Sequence, residues 1–337
     1  MHCHLNVRET VLKRARITGT GSCVPEKVMT NADIEKFIDT SDEWIVTRTG
    51  IRERHIISDD QNTSDLATTA AKNAMEMAGV TAEEIDLIVL GTISADYPWP
   101  STACIVQENI GAKNATAFDI SAACSGFLFA LENAVAQIKS GRIKKALVIG
   151  AEALSRIIDW EDRNTCVLFG DAAGAVVVEA VEGDRGILST HSHSDGSYLE
   201  LLYQPGFGTR HMPTEEALKN RNYFLQMRGN DVFKVAVRML TEVAIEAVEH
   251  NGMTMADVDL FIPHQANIRI LEATAKRLKL PSDKVYINVD RFGNTSAATI
   301  PLALDEANRG GRLKENDIIL LDAFGGGFTW ASALLRW

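Results

Sequence analysis

The chain has 337 residues, 46 % of them hydrophobic, and a net charge of -11 at pH 7. That is enough apolar material for a large core, in two domains or one fused pair, and the acidic balance argues against a nucleic-acid binder, which usually carries a basic face. No apolar run reaches the ~18 residues of a membrane span, and the opening MHCHLNVRETVLKR has no signal-peptide apolar region, so a cytoplasmic protein without membrane insertion is expected.

Residues 1–15 read as a short extension ahead of a first strand at RITGTG, residues 16–21. Within the extension His2, Cys3 and His4 stand side by side. Adjacent residues rarely close a metal site, and no metal centre is expected. GTGSC (19–23) begins like a dinucleotide loop but lacks the third glycine. Unbroken apolar runs then recur at IDLIVL (85–90), ALVIG (146–150), VDLFIP (258–263), VYINV (285–289) and DIILL (317–321). Set between helical patterns, they predict parallel strands buried on both faces, an α/β fold.

One pattern occurs twice. Gly79, Thr81, Asp86 and Leu87 of GVTAEEIDLIVL match Gly252, Thr254, Asp259 and Leu260 of GMTMADVDLFIP at an offset of 173 (252 - 79). GRIKKALVIGA from Gly141 matches GRLKENDIILLDA from Gly311 at an offset of 170 (311 - 141). The chain thus divides into duplicated halves, 16–185 and 186–337, and a site is expected at their junction. Applied to Cys124, the second offset gives Asn294 (124 + 170). Cys124, His264 and Asn294 are all expected at carboxyl ends of strands, where open α/β sheets place their chemistry.

Cys124 lies in FDISAACSGFLFAL (118–131), where a strand pattern gives way to helical spacing at Phe127, Leu128, Leu131, Val135 and Ile138. A thiol at a helix N-terminus is expected to ionise more easily and to act as a nucleophile. Small neighbours let a substrate carbonyl approach. Cys104 and Cys166 lack this placement and read as core cysteines. The five cysteines are widely spaced without a CxxC pair, which argues against a disulfide framework. By itself Asn294 reads as a helix N-cap before it reads as catalytic, and His264 reads equally as a loop residue. FGGGFTW (324–330) reads either as a tight turn or as a source of oxyanion-binding N–H groups.

These residues resemble a known family. TSDEWIVTRTGIRERH (40–55), PSTACIVQ (100–107), DISAACSGF (119–127), FGDAAGA (169–175), GNDVFKVAV (229–237), IPHQANIRI (262–270), GNTSAA (293–298) and GGGFTW (325–330) are similar in order to the β-ketoacyl-[acyl carrier protein] synthase III family of the thiolase superfamily. The resemblance runs from about Arg16 to Trp337. It implies a thiolase-like five-layered αβαβα sandwich made of two duplicated halves, assembled as a homodimer.

The resemblance also implies a Cys124, His264 and Asn294 triad. The activity implied is decarboxylating condensation of an acyl-CoA primer, acetyl-CoA foremost, with malonyl-acyl carrier protein, which initiates fatty acid synthesis. The N–H groups of Cys124 and Gly326 would form the oxyanion hole. Trp44, Arg48 and Arg163 would hold the CoA adenine, Asn230 and Asn267 the pantetheine arm, and Phe233 would line the tunnel. No metal and no bound cofactor is implied, because CO2 loss itself generates the carbanion. Lys234, Arg269, Lys276, Arg277 and Lys279 would dock the acidic carrier protein. Trp99 would close the acyl pocket of a partner subunit.

Three alternatives stay open. A relative from specialised metabolism would take another starter. A degradative thiolase is disfavoured because DAFGGG (322–327) lacks the second cysteine. A silent partner subunit would usually have lost the nucleophile that Cys124 retains.

Overall fold

Four of the five apolar runs become strands whose side chains point alternately to two helical layers. In the computed structural model, which describes residues 13–206 and 208–337, the first sheet holds β1 (Lys13–Cys23), β2 (Leu87–Gly91), β3 (Thr116–Ile120), β4 (Lys145–Glu152) and β5 (Ala172–Glu182) in the order β1-β5-β4-β2-β3. The second holds β6 (Gly186–Ser194), β7 (Leu260–Pro263), β8 (Ile318–Gly325) and β9 (Thr329–Arg336) in the order β7-β8-β9-β6. The sheets are mixed rather than purely parallel. β2 runs parallel to β3 and β4, and β7 to β8, while β5 and β9 are antiparallel to both their neighbours.

Among the described residues the helices of eight residues or more are α1 (Asp42–Thr49), α2 (Thr63–Ala78), α3 (Thr102–Ile110), α4 (Gly126–Lys139), α5 (Gly229–His250), α6 (Ile268–Leu278) and α7 (Thr299–Arg309). Leu131 and Val135 of α4 and Ile300 and Leu304 of α7 share one core with Val89 and Val148 of the first sheet and Ile262 and Leu321 of the second. Those two helices are therefore the middle layer. The alternate residues Ile88 and Leu90 face α2 and α3, while Phe261 and Leu320 pack under the end of α5 and Leu278 of α6. The result is the five-layered αβαβα sandwich expected from the sequence. GTGSC is part of β1, not a nucleotide loop. A Cβ on Gly19 or Gly21 would lie 2.3 Å from the Ala74 backbone, so glycine lets α2 press onto the strand.

The repeat is visible atom by atom. Gly79 and Gly252 both adopt φ +67°. Thr81 N–H donates to Glu84 (2.9 Å) and Thr254 N–H to Asp257 (2.7 Å), the same capping box twice. Asp86 accepts from Lys145 N–H (3.0 Å) and Asp259 from Ile318 N–H (2.9 Å).

Three expectations need correction. VYINV is not a strand: only Val285 bridges to Phe261, and the Gln265 amide takes the Tyr286 carbonyl and the Asn288 N–H that a neighbouring strand would have bonded. The counterpart of Cys124 is Ala297, not Asn294. The tight turns 123–125 and 296–298 match at an offset of 173, with Ala123 at φ +47° and Ser296 at φ +49°. The offset of 170 arises downstream, because α7 has 11 residues where α4 has 14. Asn294 follows the helical turn Val289–Phe292 rather than a strand. Finally, Cys166 is buried as expected but Cys104 is exposed, because α3 turns Thr102, Ala103 and Val106 inward and leaves Cys104 outside.

Candidate active site

A left-handed turn and one close backbone approach build the corner that holds Cys124. After β3 the chain reverses through Ala123, whose φ of +47° swings Cys124 into the turn before α4. A Cβ on Gly325 at the end of β8 would lie 2.6 Å from the Cys124 nitrogen, so only glycine lets that strand touch the corner. Two bonds fasten the contact: Ser125 Oγ donates to the Thr329 carbonyl (2.9 Å) and Thr329 Oγ1 to the Ala122 carbonyl (2.9 Å).

His264 follows β7, with its N–H on the Asp322 carbonyl at 2.8 Å. Its Nδ1 lies 2.7 Å from Thr299 Oγ1. Asn294 is held by backbone bonds to Leu168 and Gly170 (2.8 and 3.1 Å), and its Oδ1 accepts from Ser296 N–H (2.9 Å). Its side chain thus caps the turn before α7, and the amide NH2 remains for another partner.

Cys124, His264, Asn294 and Gly326 line one cavity of about 860 Å³. Trp44, Arg48, Asn230, Phe233, Asn267 and Arg269 line it as well. Arg163 is not on that wall. Its guanidinium lies 4.9 Å from the Trp44 ring centre, and that of Arg48 lies 4.3 Å from it. Asn267 uses its Oδ1 to cap α6, accepting from Arg269 N–H at 2.9 Å. Lys234, Arg269, Lys276, Arg277 and Lys279 are all exposed, and Arg269 lies over the Phe233 ring at 5.6 Å. Trp99 stands 83 % exposed and does not line the cavity of its own chain.

Burial sets the electrostatics. It pushes the Cys124 thiol up to about 12, aided by the nearby Glu152 charge and opposed by the Ser296 hydroxyl. The expected lowering by the helix terminus does not prevail. A rise from 9.0 to about 12 corresponds to roughly 4 kcal/mol, whereas a helix terminus supplies at most ~2 kcal/mol. Burial likewise holds His264 down at about 3, so its imidazole is neutral.

Glu152, Ser296 and Thr299 complete the site and were not singled out in the sequence. Glu152 is fully buried at the end of β4 and accepts from Ser296 Oγ (2.9 Å), Thr92 Oγ1 (3.1 Å) and the N–H groups of Ile93 and Ser94 (both 3.1 Å). Its one legible signal was an acidic residue inside an apolar strand.

Family models described as 3-oxoacyl-[acyl-carrier-protein] synthase III and its C-terminal part match residues 118–196 and 248–337. The β-ketoacyl-[acyl-carrier-protein] synthase III of Xanthomonas campestris is 58 % identical, over 96 % of this chain and 98 % of that relative. The protein of the same name from Caldanaerobacter subterraneus is 54 % identical, over 96 % and 98 %. The crystal structure of the Aquifex aeolicus 3-oxoacyl-[acyl-carrier-protein] synthase III superimposes with a TM-score of 0.90 at 50 % identity, covering 96 % of this chain and all of that one. The chain therefore belongs to the β-ketoacyl-[acyl-carrier-protein] synthase III family.

Proposed function

We propose that this protein joins an acyl-CoA primer, acetyl-CoA foremost, to malonyl-acyl carrier protein with loss of CO2, giving a 3-oxoacyl-acyl carrier protein and initiating fatty acid synthesis. The carrying observation is the convergence of Cys124, His264 and Asn294 on one cavity whose wall also holds Trp44 and Arg48.

In the first half-reaction Cys124 attacks the thioester, and the N–H groups of Cys124 and Gly326 hold the oxyanion. One such donor is typically worth about 2.7–4 kcal/mol. Trp44, Arg48 and Arg163 take the adenine, with Asn230, Asn267 and Phe233 along the arm. In the second half-reaction His264 and Asn294 donate to the malonyl thioester oxygen as CO2 leaves, and the resulting carbanion attacks the acyl-cysteine. Neutral His264 suits this role. Thr299 Oγ1 donates to the Ser296 carbonyl at 3.0 Å and lies 2.7 Å from His264 Nδ1, which fixes the ring's orientation. The carbanion comes from decarboxylation, so this scheme calls for no metal or redox group.

Lys234, Arg269, Lys276 and Arg277 form the carrier-protein docking face. They are exposed, and among the described residues none forms an ion pair, so their charge is available to an acidic partner. A homodimer fits the exposed Tyr97 and Trp99, large rings that a partner subunit would cover. Among the described residues no helix is long and apolar enough to cross a membrane.

The test is condensation of malonyl-acyl carrier protein with a panel of acyl-CoA primers. Product from acetyl-CoA that vanishes in Cys124→Ala supports the proposal. Turnover confined to bulky starters moves the protein to a specialised branch, and no product from any primer overturns the condensing reading.

A further inference from the structure

Cys124 and its two partners are fastened by separate contacts. The Cys124 corner hangs on the second sheet, through the close approach of Gly325 and the bonds between Ser125, Thr329 and Ala122. Asn294 and His264 meet instead at the backbone of Ser296. Its N–H donates to Asn294 Oδ1 at 2.9 Å, which sets the plane of that amide. Its carbonyl accepts from Thr299 Oγ1 at 3.0 Å, and the same hydroxyl lies 2.7 Å from His264 Nδ1.

Ser296 itself has to be held. Its φ of +49° is a strained conformation for any residue with a Cβ. β4 grips the turn at two points. Gly150 presses on the Ala297 carbonyl, which a Cβ there would meet at 2.1 Å. Two residues on, Glu152 Oε1 accepts from Ser296 Oγ at 2.9 Å, and both residues are buried. Glu152 is fixed in turn by the loop after β2. Thr92 Oγ1, Ser94 Oγ and the N–H groups of Ile93 and Ser94 all donate to its Oε2. Glu152 does not line the cavity, so it acts only through Ser296.

We infer that Glu152, through Ser296, is a positioning residue for the condensation half-reaction: it holds the turn from which Asn294 and His264 take their orientation. This rests on the reading of His264 and Asn294 as the pair that stabilises the malonyl-derived carbanion. Every contact of Glu152 is a donor, so both oxygens must accept, as a carboxylate does. A methyl in its place strands Ser296 Oγ and the loop N–H groups. A glutamine can turn its oxygen to the loop and donate through Nε2 to Ser296 Oγ.

Single-turnover rates separate the two half-reactions. One is acetylation of Cys124 by acetyl-CoA, followed by intact mass. The other is condensation of pre-acetylated enzyme with malonyl-acyl carrier protein, and near-UV circular dichroism confirms folding. In Ser296→Ala, and in Ser296→Gly, which takes the left-handed turn without strain, condensation should fall by about 10- to 100-fold with half-saturation unchanged. The Ser296 hydroxyl also favours ionisation of Cys124, so acetylation slows in part, but by about fivefold less or better. Glu152→Ala should match these losses and Glu152→Gln should recover most of the rate. The combined Ser296→Ala and Asn294→Ala loss should fall short of the product of the single losses by about fivefold or more. Acetylation falling as far as condensation, fully multiplicative losses, or a folded Ser296→Gly or Glu152→Ala that condenses at the wild-type rate overturns the inference and leaves the reading of Asn294 standing. Asn294→Ala condensing at the wild-type rate overturns that reading and the inference with it.

Discussion

The two halves of the molecule make the same corner and use it differently. Each turns through one residue in the left-handed region, Ala123 at φ +47° or Ser296 at φ +49°, and then opens a middle-layer helix. Each is touched by a glycine of the opposite sheet. A Cβ on Gly325 would meet Cys124 N at 2.6 Å, and one on Gly150 would meet the Ala297 carbonyl at 2.1 Å. In the first corner the residue after the left-handed one is Cys124, which lines the cavity. In the second it is Ala297, which packs toward Gly126, and the left-handed residue itself, Ser296, carries the polar contacts. Duplication supplied a strained turn twice. One copy puts Cys124 on the cavity wall, and the other holds Asn294 and Glu152 through Ser296.

Exchanging the two corners should fail with the largest effect. Cys124→Ala should lower condensation by about 10³-fold or more, and adding Ala297→Cys should restore nothing, because that position is not on the cavity wall. Recovered turnover in the double variant would break the comparison.

Next in size is the pH dependence of stability at Glu152. Its folded pKa is raised from 4.5 to about 7 by burial. Between those values the native state holds a proton that the unfolded state has lost, so stability falls as pH rises through the window, by roughly 3 kcal/mol. Glu152→Gln does not titrate, and its denaturation free energy should lack this component of the slope from pH 4.5 to 7. An unchanged slope would place the ionisation elsewhere.

The glycine pair separates folding from chemistry. Gly325→Ala and Gly150→Ala each insert a methyl into backbone contact and should cost about 1–3 kcal/mol by thermal unfolding. Only Gly325→Ala should also impair acylation, since only it displaces Cys124. The smallest effects should be the most symmetric. Thr81→Ala and Thr254→Ala each remove one copy of the capping box and should each cost about 1 kcal/mol. A marked inequality in urea denaturation would show that the two copies are not equally braced.

Local pattern explains what could be read from the chain. The apolar runs and the repeated Gly79, Thr81, Asp86 and Leu87 pattern lie within short windows and led to the duplicated α/β halves, while the ordered motifs led to the sandwich and to Cys124, His264 and Asn294. The exact pairing of corners did not, because a helix three residues shorter in the second half shifts the landmark after it without moving the corner before it. VYINV has strand composition, yet the side chain of Gln265, 20 residues earlier than Val285, takes its backbone groups. Glu152 and Ser296 are 144 residues apart, and nothing near either one announces the other. Only the packing of one half's strand end against the other half's corner brings them together.

The most direct measurement is intact-mass and peptide mapping after exposure to acetyl-CoA alone, in wild type, Cys124→Ala and His264→Ala. The account predicts one acetyl group on the Cys124 peptide in wild type, none in Cys124→Ala, and retained acetylation in His264→Ala, which then fails to condense with malonyl-acyl carrier protein. Acetyl on another residue, or loss of acetylation in His264→Ala with the fold intact, would contradict the division of labour between Cys124 and His264.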